Sequence, residues 1–461
     1  MNAAQPPRTP LASVDAAWLH MDDPTNVMVI TIAMFFDACL DYQQLRTTVA
    51  ERLLPFERFR QRIVRGRDDK PHWEADPHFI LDAHLHRYGL PGAGGEAELR
   101  ALISELISTP LDLTRPLWKF FLIEHYGTGC ALVLRIHHCM ADGMALIEIF
   151  NAFLDRPIDA PTASNAAPAA APSGPFSQAV ASINTALRTT EQIIQRGWGW
   201  ISRPERALSL LGSGAAAVGK LALMGPDAHS ILKGPLSGVK RAAWAETVPL
   251  SAIKAVSNVL GGTVNDVLLT AISGALRRYM DAHGAEISPR GLRAIVPVNL
   301  LPPGAKPNGG NNFGLVHVTL PVGSDDPVER SARLRREMDA IKASPEAYIG
   351  YGALSILGNL PADVEQALVD VLSTMASMVI TNVPGPRQSN SLMGHNVARA
   401  MFWVPEASRI SLGISILSYA GNVQVAIVSD VQTLADPGAL GAAIDAEFAE
   451  LFELARAVEE E

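Results

Sequence analysis

Strand-like and helix-like segments alternate along both halves of the chain, and one Ala/Pro/Ser-rich stretch, "RPIDAPTASNAAPAAAPSGP" (Arg156 to Pro175), breaks the alternation between them. Alternating strands and helices build α/β layers, whereas a segment of this composition has too little apolar surface to join a core and reads as an extended linker. The chain is therefore expected to form two α/β units, residues 1–155 and 241–461, joined by residues 156–240. At 461 residues, 48% of them hydrophobic, it can fill the cores of both. No close sequence repeat relates the two halves.

In the first half, "VMVITIAMFF" (Val27 to Phe36) reads as a buried strand and "LDYQQLRTTVAERLL" as the helix after it. "EAELRALISELIS" places Leu99, Leu102 and Leu106 on one helical face. "LWKFFLIEHY" and "CALVLRIHH" read as two strands around a Gly127/Gly129 turn, and "GMALIEIFNAFL" as a helix buried through Met144, Ile147 and Phe150. In the second half, "TVNDVLLTAISGALRRYM" repeats apolar residues at helical spacing from Val264 to Tyr279. "LRAIVPVNL", "GLVHVTLPV", "SMVITNVP", "ISLGISILSY" and "NVQVAIVSD" read as strands. "DPVERSARLRREMDAIKA" and the terminal "DPGALGAAIDAEFAELFELARAV" each open on Asp-Pro, a cap followed by a residue already fixed at helical φ.

Between the halves, Phe176 to Leu211 has an irregular amphipathic pattern. Ile183, Leu187, Ile194, Trp198 and Ile201 fall near one helical face, with Arg188, Arg196, Arg203 and Arg206 elsewhere. Such a segment suits packing against the second unit, and it equally suits a membrane interface.

Charge and cysteine usage narrow the functional classes. A net charge of −9 leaves no general basic surface for nucleic acid, so an anionic substrate would need a local basic patch. Cys39, Cys130 and Cys139 lack paired spacing, so neither a disulfide framework nor a zinc cluster is expected. Met1 to Asp23 lacks the basic start and apolar run of a secretion signal, and no window of about 18 uninterrupted apolar residues suggests a spanning helix. The expectation is a soluble, cytoplasmic protein.

The segment with most chemistry is "RIHHCMADGMA" (Arg135 to Ala145), where His137, His138, Asp142 and Gly143 fit His-His-x-x-x-Asp-Gly. From average composition a chance match in a chain of this size is on the order of one in a thousand, so the motif is read as signal. A metal is disfavoured, because consecutive strand residues point to opposite sides and the two imidazoles do not readily share an ion. Two readings stay open on the residues alone. In one the histidines pack and Asp142 caps the helix that begins at Gly143. In the other a neutral imidazole at the strand end takes a proton from a hydroxyl or thiol. With no serine elbow and with Cys139 pointing away on an extended segment, direct attack by an acceptor hydroxyl is favoured over a covalent triad.

Several further stretches, taken with this motif, resemble one family along nearly the whole chain. They are "PLASVDAAWLHMDDPTNVMVI", "LLPFERFRQRI", the Pro116-Leu117-Trp118 element of "RPLWKFFLI", Asn265-Asp266 in "TVNDVLLT", "NNFGLVHVTLP" and "TNVPGP" (Thr381 to Pro386). This ordered set is similar to the bacterial wax ester synthase/acyl-CoA:diacylglycerol acyltransferases, of the chloramphenicol acetyltransferase-like superfamily. The histidine motif alone is shared with peptide-synthetase condensation domains. The resemblance implies two acetyltransferase-like domains, each a mixed sheet with flanking helices, and a site at their interface. It implies His138 as general base, His137 supporting the loop or pocket, Asp142 holding the loop and Gly143 allowing the turn. It places Asn265 near the reacting centre.

Asp266 has two readings, a site role or a cap paired with Thr263. Trp118 can be core or substrate wall, and Asn382 can reach the channel from a loop whose prolines and glycine chiefly set backbone shape. Arg387, beside that loop, is one candidate for the coenzyme A phosphates. The implied substrates are acyl-CoA with a fatty alcohol or diacylglycerol, without a resident cofactor or metal. Apolar products imply work at a membrane or lipid-droplet surface. The competing functions are a condensation-type enzyme drawing on a carrier-protein thioester and a non-catalytic lipid-binding homologue.

Overall fold

The computed structural model describes residues 8–66, 70–140, 143–156, 224–299, 313–343, 350, 357–360 and 362–459. The amphipathic stretch Phe176 to Leu211 and the motif residue Asp142 lie outside them.

The first half runs β1 (Arg8–Pro10), α1 (Ser13–His20), β2 (Val29–Phe36), α2 (Tyr42–Arg52), β3 (Gln61–Arg65), β4 (Pro71–Ala75) and β5 (Leu85–Gly89). It continues with α3 (Glu96–Ser108), β6 (Trp118–Tyr126), β7 (Gly129–His137) and α4 (Gly143–Phe153). The second half opens on β8 (Lys240–Trp244), β9 (Val248–Pro249), α5 (Leu250–Leu260), α6 (Val264–Ala282), β10 (Leu292–Asn299) and β11 (Phe313–Leu320). Next come α7 (Pro327–Lys342), α8 (Ala362–Ser373), β12 (Met378–Pro384), β13 (Ser391–Leu392) and β14 (His395–Trp403). The chain closes with β15 (Leu412–Tyr419), β16 (Asn422–Asp430) and α9 (Pro437–Glu459).

Two large mixed sheets result. One has the order β13-β14-β2-β7-β6-β5, and the other β11-β10-β12-β15-β16-β8 with β9 beside β16. Parallel pairs are β5 with β6, β10 with β12, and β12 with β15. A small sheet, β1-β4-β3, stands apart.

Every residue of β7 is buried, which explains its unbroken apolar run. One face meets a core with Leu45, Leu146 and Phe153 from helices α2 and α4. The other meets Leu99 and Ile103 of α3 together with Trp244 and Trp403 from the second half. Besides the terminal His137, Arg135 is the polar exception. Its guanidinium is pushed down to about 10 by burial, and it donates to the Thr109 carbonyl at the end of α3.

The Asp-Pro helix starts are as expected. Asp326 accepts from the Val328 amide with Pro327 in the first turn of α7, and Asp436 accepts from Gly438 and Ala439 at the start of α9.

The structure departs from the sequence reading at β14, which was not expected as a strand. It crosses from the second half to pair antiparallel with β2, Ala400 opposite Met34 and Trp403 opposite Thr31. Its sequence, "HNVARAMFW", is interrupted by Asn396 and Arg399 because this strand is only partly buried, and a register shift between Val397 and Arg399 blurs the alternation further. The first half's sheet is thus completed by the second half's chain.

The described end of the connecting region, from residue 224, is packed rather than free. Leu232 lies in the second core, Asp227 pairs with Arg293 at 3.3 Å, and the Ser237 and Gly238 amides donate to Asp430.

Candidate active site

Strand β7 ends at His137, and the turn that follows carries His138 and Cys139. Backbone bonds anchor both histidines: the His137 amide donates to the Leu117 carbonyl at 2.9 Å and the His138 amide to the Met28 carbonyl at 2.8 Å. The rings then make different contacts. The Cys139 amide donates to His137 Nδ1 at 3.2 Å, which makes that nitrogen the acceptor and leaves the proton of a neutral ring on Nε2. That Nε2 lies 3.6 Å from Asp22 Oδ1, an oxygen that also takes the Met28 amide at 2.6 Å. His137 is thus the fully buried partner that ties the turn to the segment after α1.

The His138 ring stacks on the indole of Trp18 in α1, with centroids 4.1 Å apart and planes at 22°. Burial pushes its imidazole down to about 4, with the neighbouring His137 adding to the effect. It is therefore neutral at physiological pH, the form that can take up a proton. The Cys139 thiol, by contrast, is driven well up by burial, so it is held as a protonated thiol rather than a nucleophilic thiolate.

This turn sits between the two halves. Trp18, Met28, Leu117 and Cys139 share an apolar cluster with Leu357 and Val369 of the second half, and Leu315 and Ala407 pack against it. Among the described residues there is no group of three or more His, Cys, Asp and Glu able to hold a metal ion.

The structure brings a second pair of expected site residues together. Asn265, in the first turn of α6, accepts from Asn382 Nδ2 of β12 at 3.1 Å, and both side chains are partly exposed. Asp266 next door is buried, and its Oδ2 takes the Thr263 amide at 2.7 Å while Thr263 Oγ1 takes its own amide at 3.3 Å. That is a complete capping box.

The loop after Asn382 is a scaffold. A side chain on Gly385 would lie 2.5 Å from the Ser418 carbonyl, which its own amide meets at 2.9 Å. Arg387 beyond it is exposed.

Trp118 lies in the packed core, stacked on His84 at 4.5 Å with its indole N–H on the Phe59 carbonyl at 2.9 Å. Gly143 begins α4. Trp18 and Asp22 were given no role in the sequence reading, although both stand in the quoted "SVDAAWLHMDDPTN" stretch. Their partners are more than 100 residues downstream, and only the fold puts them against the histidines.

Comparisons with known proteins identify the family. The wax ester synthase/diacylglycerol acyltransferase catalytic domain is matched over residues 11–268, and the C-terminal domain of the same family over residues 309–452. A relative in Mycobacterium tuberculosis H37Rv, named as a probable diacylglycerol O-acyltransferase, is 29% identical over 465 residues, covering 97% of this chain and 96% of that one. The solved wax ester synthase/diacylglycerol acyltransferase from Marinobacter aquaeolei VT8 superposes with a TM-score of 0.67 at 22% identity, over 97% of this chain and 100% of that one. The first condensation domain of the calcium-dependent antibiotic synthetase shares the fold at a TM-score of 0.55 and 15% identity, covering 98% and 97% of the two chains. With the catalytic-domain match alone spanning more than half of its residues, this chain belongs to the wax ester synthase/diacylglycerol acyltransferase family, enzymes that are O-acyltransferases.

Proposed function

We propose that this O-acyltransferase moves a long-chain fatty acyl group from coenzyme A to the hydroxyl of a fatty alcohol or diacylglycerol, with His138 as general base. The observation that carries this reading is an imidazole kept neutral, stacked and shielded at the join of the two halves, in the His-x-x-x-Asp-Gly relation. His138 takes the acceptor's proton as the oxygen attacks the thioester carbonyl. The carbon–sulfur bond then breaks, and the same proton passes to the departing thiolate, giving ester and free coenzyme A. No covalent enzyme intermediate is needed, in keeping with the protonated, buried Cys139. His137 holds the turn through the Cys139 amide and Asp22.

The Asn265–Asn382 pair supplies amide donors for the thioester oxygen as negative charge develops on it. Asn265→Ala is expected to lower kcat by about 10²-fold with a smaller change in KM. Asn382→Ala acts through the same pair, so the double variant should lose much less than the product of the two single losses. Steady-state kinetics on folded variants decides it, and an unchanged kcat for Asn265→Ala removes the pair from the site.

The acceptor assay tests the whole reading. Labelled palmitoyl-CoA is offered with hexadecanol or diacylglycerol, and the products are separated by chromatography. Wax ester or triacylglycerol is the expected result. Transfer only from a carrier-protein thioester, or no transfer at all, overturns it.

An apolar acceptor resides in membrane or lipid inclusions, so the enzyme is placed in the cytoplasm at such a surface. Among the described residues no single helix is long and apolar enough to cross a membrane. Contact is assigned to the basic, Trp-containing stretch Phe176 to Leu211. Deleting that stretch from a folded enzyme is expected to abolish flotation with anionic liposomes, and undiminished flotation refutes the assignment.

A further inference from the structure

Trp18 sits on α1, and three contacts tie that short helix to the second half of the chain. At its start, the turn at Leu357–Leu360 comes so close that a side chain on Gly358 would lie 1.6 Å from the Ser13 carbonyl oxygen. Asn359 Nδ2 donates to Ser13 Oγ at 2.9 Å. At its end, His20 Nδ1 meets Glu365 Oε2 of α8 at 2.8 Å. Glu365 is fully buried, and burial raises its carboxyl above the ordinary range while His20 opposes that rise. A buried carboxylate is costly without a partner, so this contact has a defined geometry rather than that of a loose surface pair.

We propose that Trp18 is a positioning residue for His138, and that the second half sets its position by gripping α1 through Gly358, Asn359 and Glu365. The proposal rests on His138 being the base. A stacked indole fixes the plane of the imidazole, which otherwise turns about its side-chain bonds, and covers one face of it against water. Closing the two halves on each other therefore seats the base in its working orientation.

Among the described residues, the charged and titratable groups around the stack are these. His137 and Cys139 come from its own turn, Asp15 from α1, Asp22 from the segment after α1, and Arg58 from the turn before β3. His20 and Glu365 lie at the C-terminal end of α1, two residues beyond Trp18. A stacked indole also attracts an imidazolium, which would favour protonation. The downward direction of the His138 shift shows burial to be the stronger influence, so removing the indole should ease protonation.

The experiment uses the full chain, following kcat, KM for palmitoyl-CoA and the acid limb of the kcat/KM profile. Trp18→Ala is expected to lower kcat by about tenfold or more, to leave KM within about threefold, and to move the acid limb up toward the usual imidazole range. Trp18→Phe, which keeps a ring on the imidazole, should recover most of both. His20→Ala removes a side chain only 21% exposed and leaves the buried Glu365 without its partner, which loosens the grip on α1, and it is expected to show the same signature more weakly. It also serves if Trp18→Ala fails to fold.

A fall in kcat with the acid limb unmoved, or a change confined to KM, makes Trp18 ordinary packing and overturns the proposal. A Trp18→Phe variant no better than Trp18→Ala does the same. His138→Ala, run alongside, separates the two readings. If it retains wild-type turnover the base assignment fails, whereas if it is inactive and Trp18→Ala is fully active only the positioning role fails.

Discussion

Replacing His138 by Ala is expected to reduce acyl transfer by at least about 10²–10⁴-fold, the range that a positioned general base contributes. The loss should fall on kcat, as expected of a group that transfers a proton and binds neither substrate's chain. The fold should survive. His138 is the partly exposed member of the histidine pair, whereas His137 is 1% exposed and bonded to the Cys139 amide. Thermal unfolding of the variant should therefore stay near that of the wild type, while His137→Ala loses both activity and stability.

The pH dependence carries a sign that distinguishes this site from an ordinary histidine. The folded His138 resists protonation down to about 4, below the 6.5 of a free imidazole. The unfolded chain therefore takes up the proton first as pH falls, so this group lowers stability progressively between pH 6.5 and about 4 and costs nothing above that window. Activity follows the folded value: kcat/KM should show no His138 limb between pH 6 and 7. A limb centred near 6.5 that vanishes in no other variant would show a solvated ring and remove the shielding on which the mechanism depends. Wild-type turnover by a folded His138→Ala protein would remove the base itself.

How much of this was legible in the sequence depended on whether the determining contacts were local. Asp326-Pro327 and Asp436-Pro437 announce helix starts because cap and first turn are neighbours in the chain. Thr263 and Asp266 form their capping box across three residues, and β7 is readable because its whole length is buried. The histidine motif was visible for the same reason, a short fixed spacing at a strand end. Its two structural readings could not be separated locally, since the shielding of His138 comes from Trp18, about 120 residues upstream, and from the second half. The crossing of β14 into the first sheet was illegible too. Arg399 reads as a break in a strand, yet its guanidinium lies 4.2 Å from the centre of the Phe35 ring, a contact that only the crossing creates.

The largest effect on stability is expected at Lys240, another residue whose role is wholly tertiary. Its side chain is 3% exposed, and the ammonium lies 3.5 Å from Asp430 and 4.0 Å from Glu406 and donates to Asn26 Oδ1. Asn26 Nδ2 in turn donates to the Ser408 and Ile410 carbonyls at 2.7 and 2.9 Å, so the cation joins the first half to the second at the segment leading into β2. Two residues further on, the Met28 carbonyl receives the His138 amide, which links this network to the histidine turn.

Burial pushes the Glu406 carboxyl up to about 7, against the opposing pull of Lys240, whereas Asp430 is held below the usual range chiefly by the Gln432 and Ser237 hydrogen bonds, which outweigh its burial. Lys240→Ala removes the cation and leaves two buried carboxyls facing each other, a change that typically costs about 3–5 kcal/mol. The cost must depend on pH. Glu406 binds its proton more tightly folded than unfolded, so it favours folding at low pH and loses that advantage as pH rises from about 4.5 through 7. Without Lys240 the folded value climbs further and the penalty extends to higher pH. Urea unfolding of Lys240→Ala should therefore show a larger deficit against wild type at pH 8 than at pH 5.5. Adding Glu406→Gln should recover part of it, since the neutral amide keeps the shape without the charge. A deficit that is equal at both pH values and unrelieved by Glu406→Gln would mean that Lys240 acts through its aliphatic stem rather than its charge.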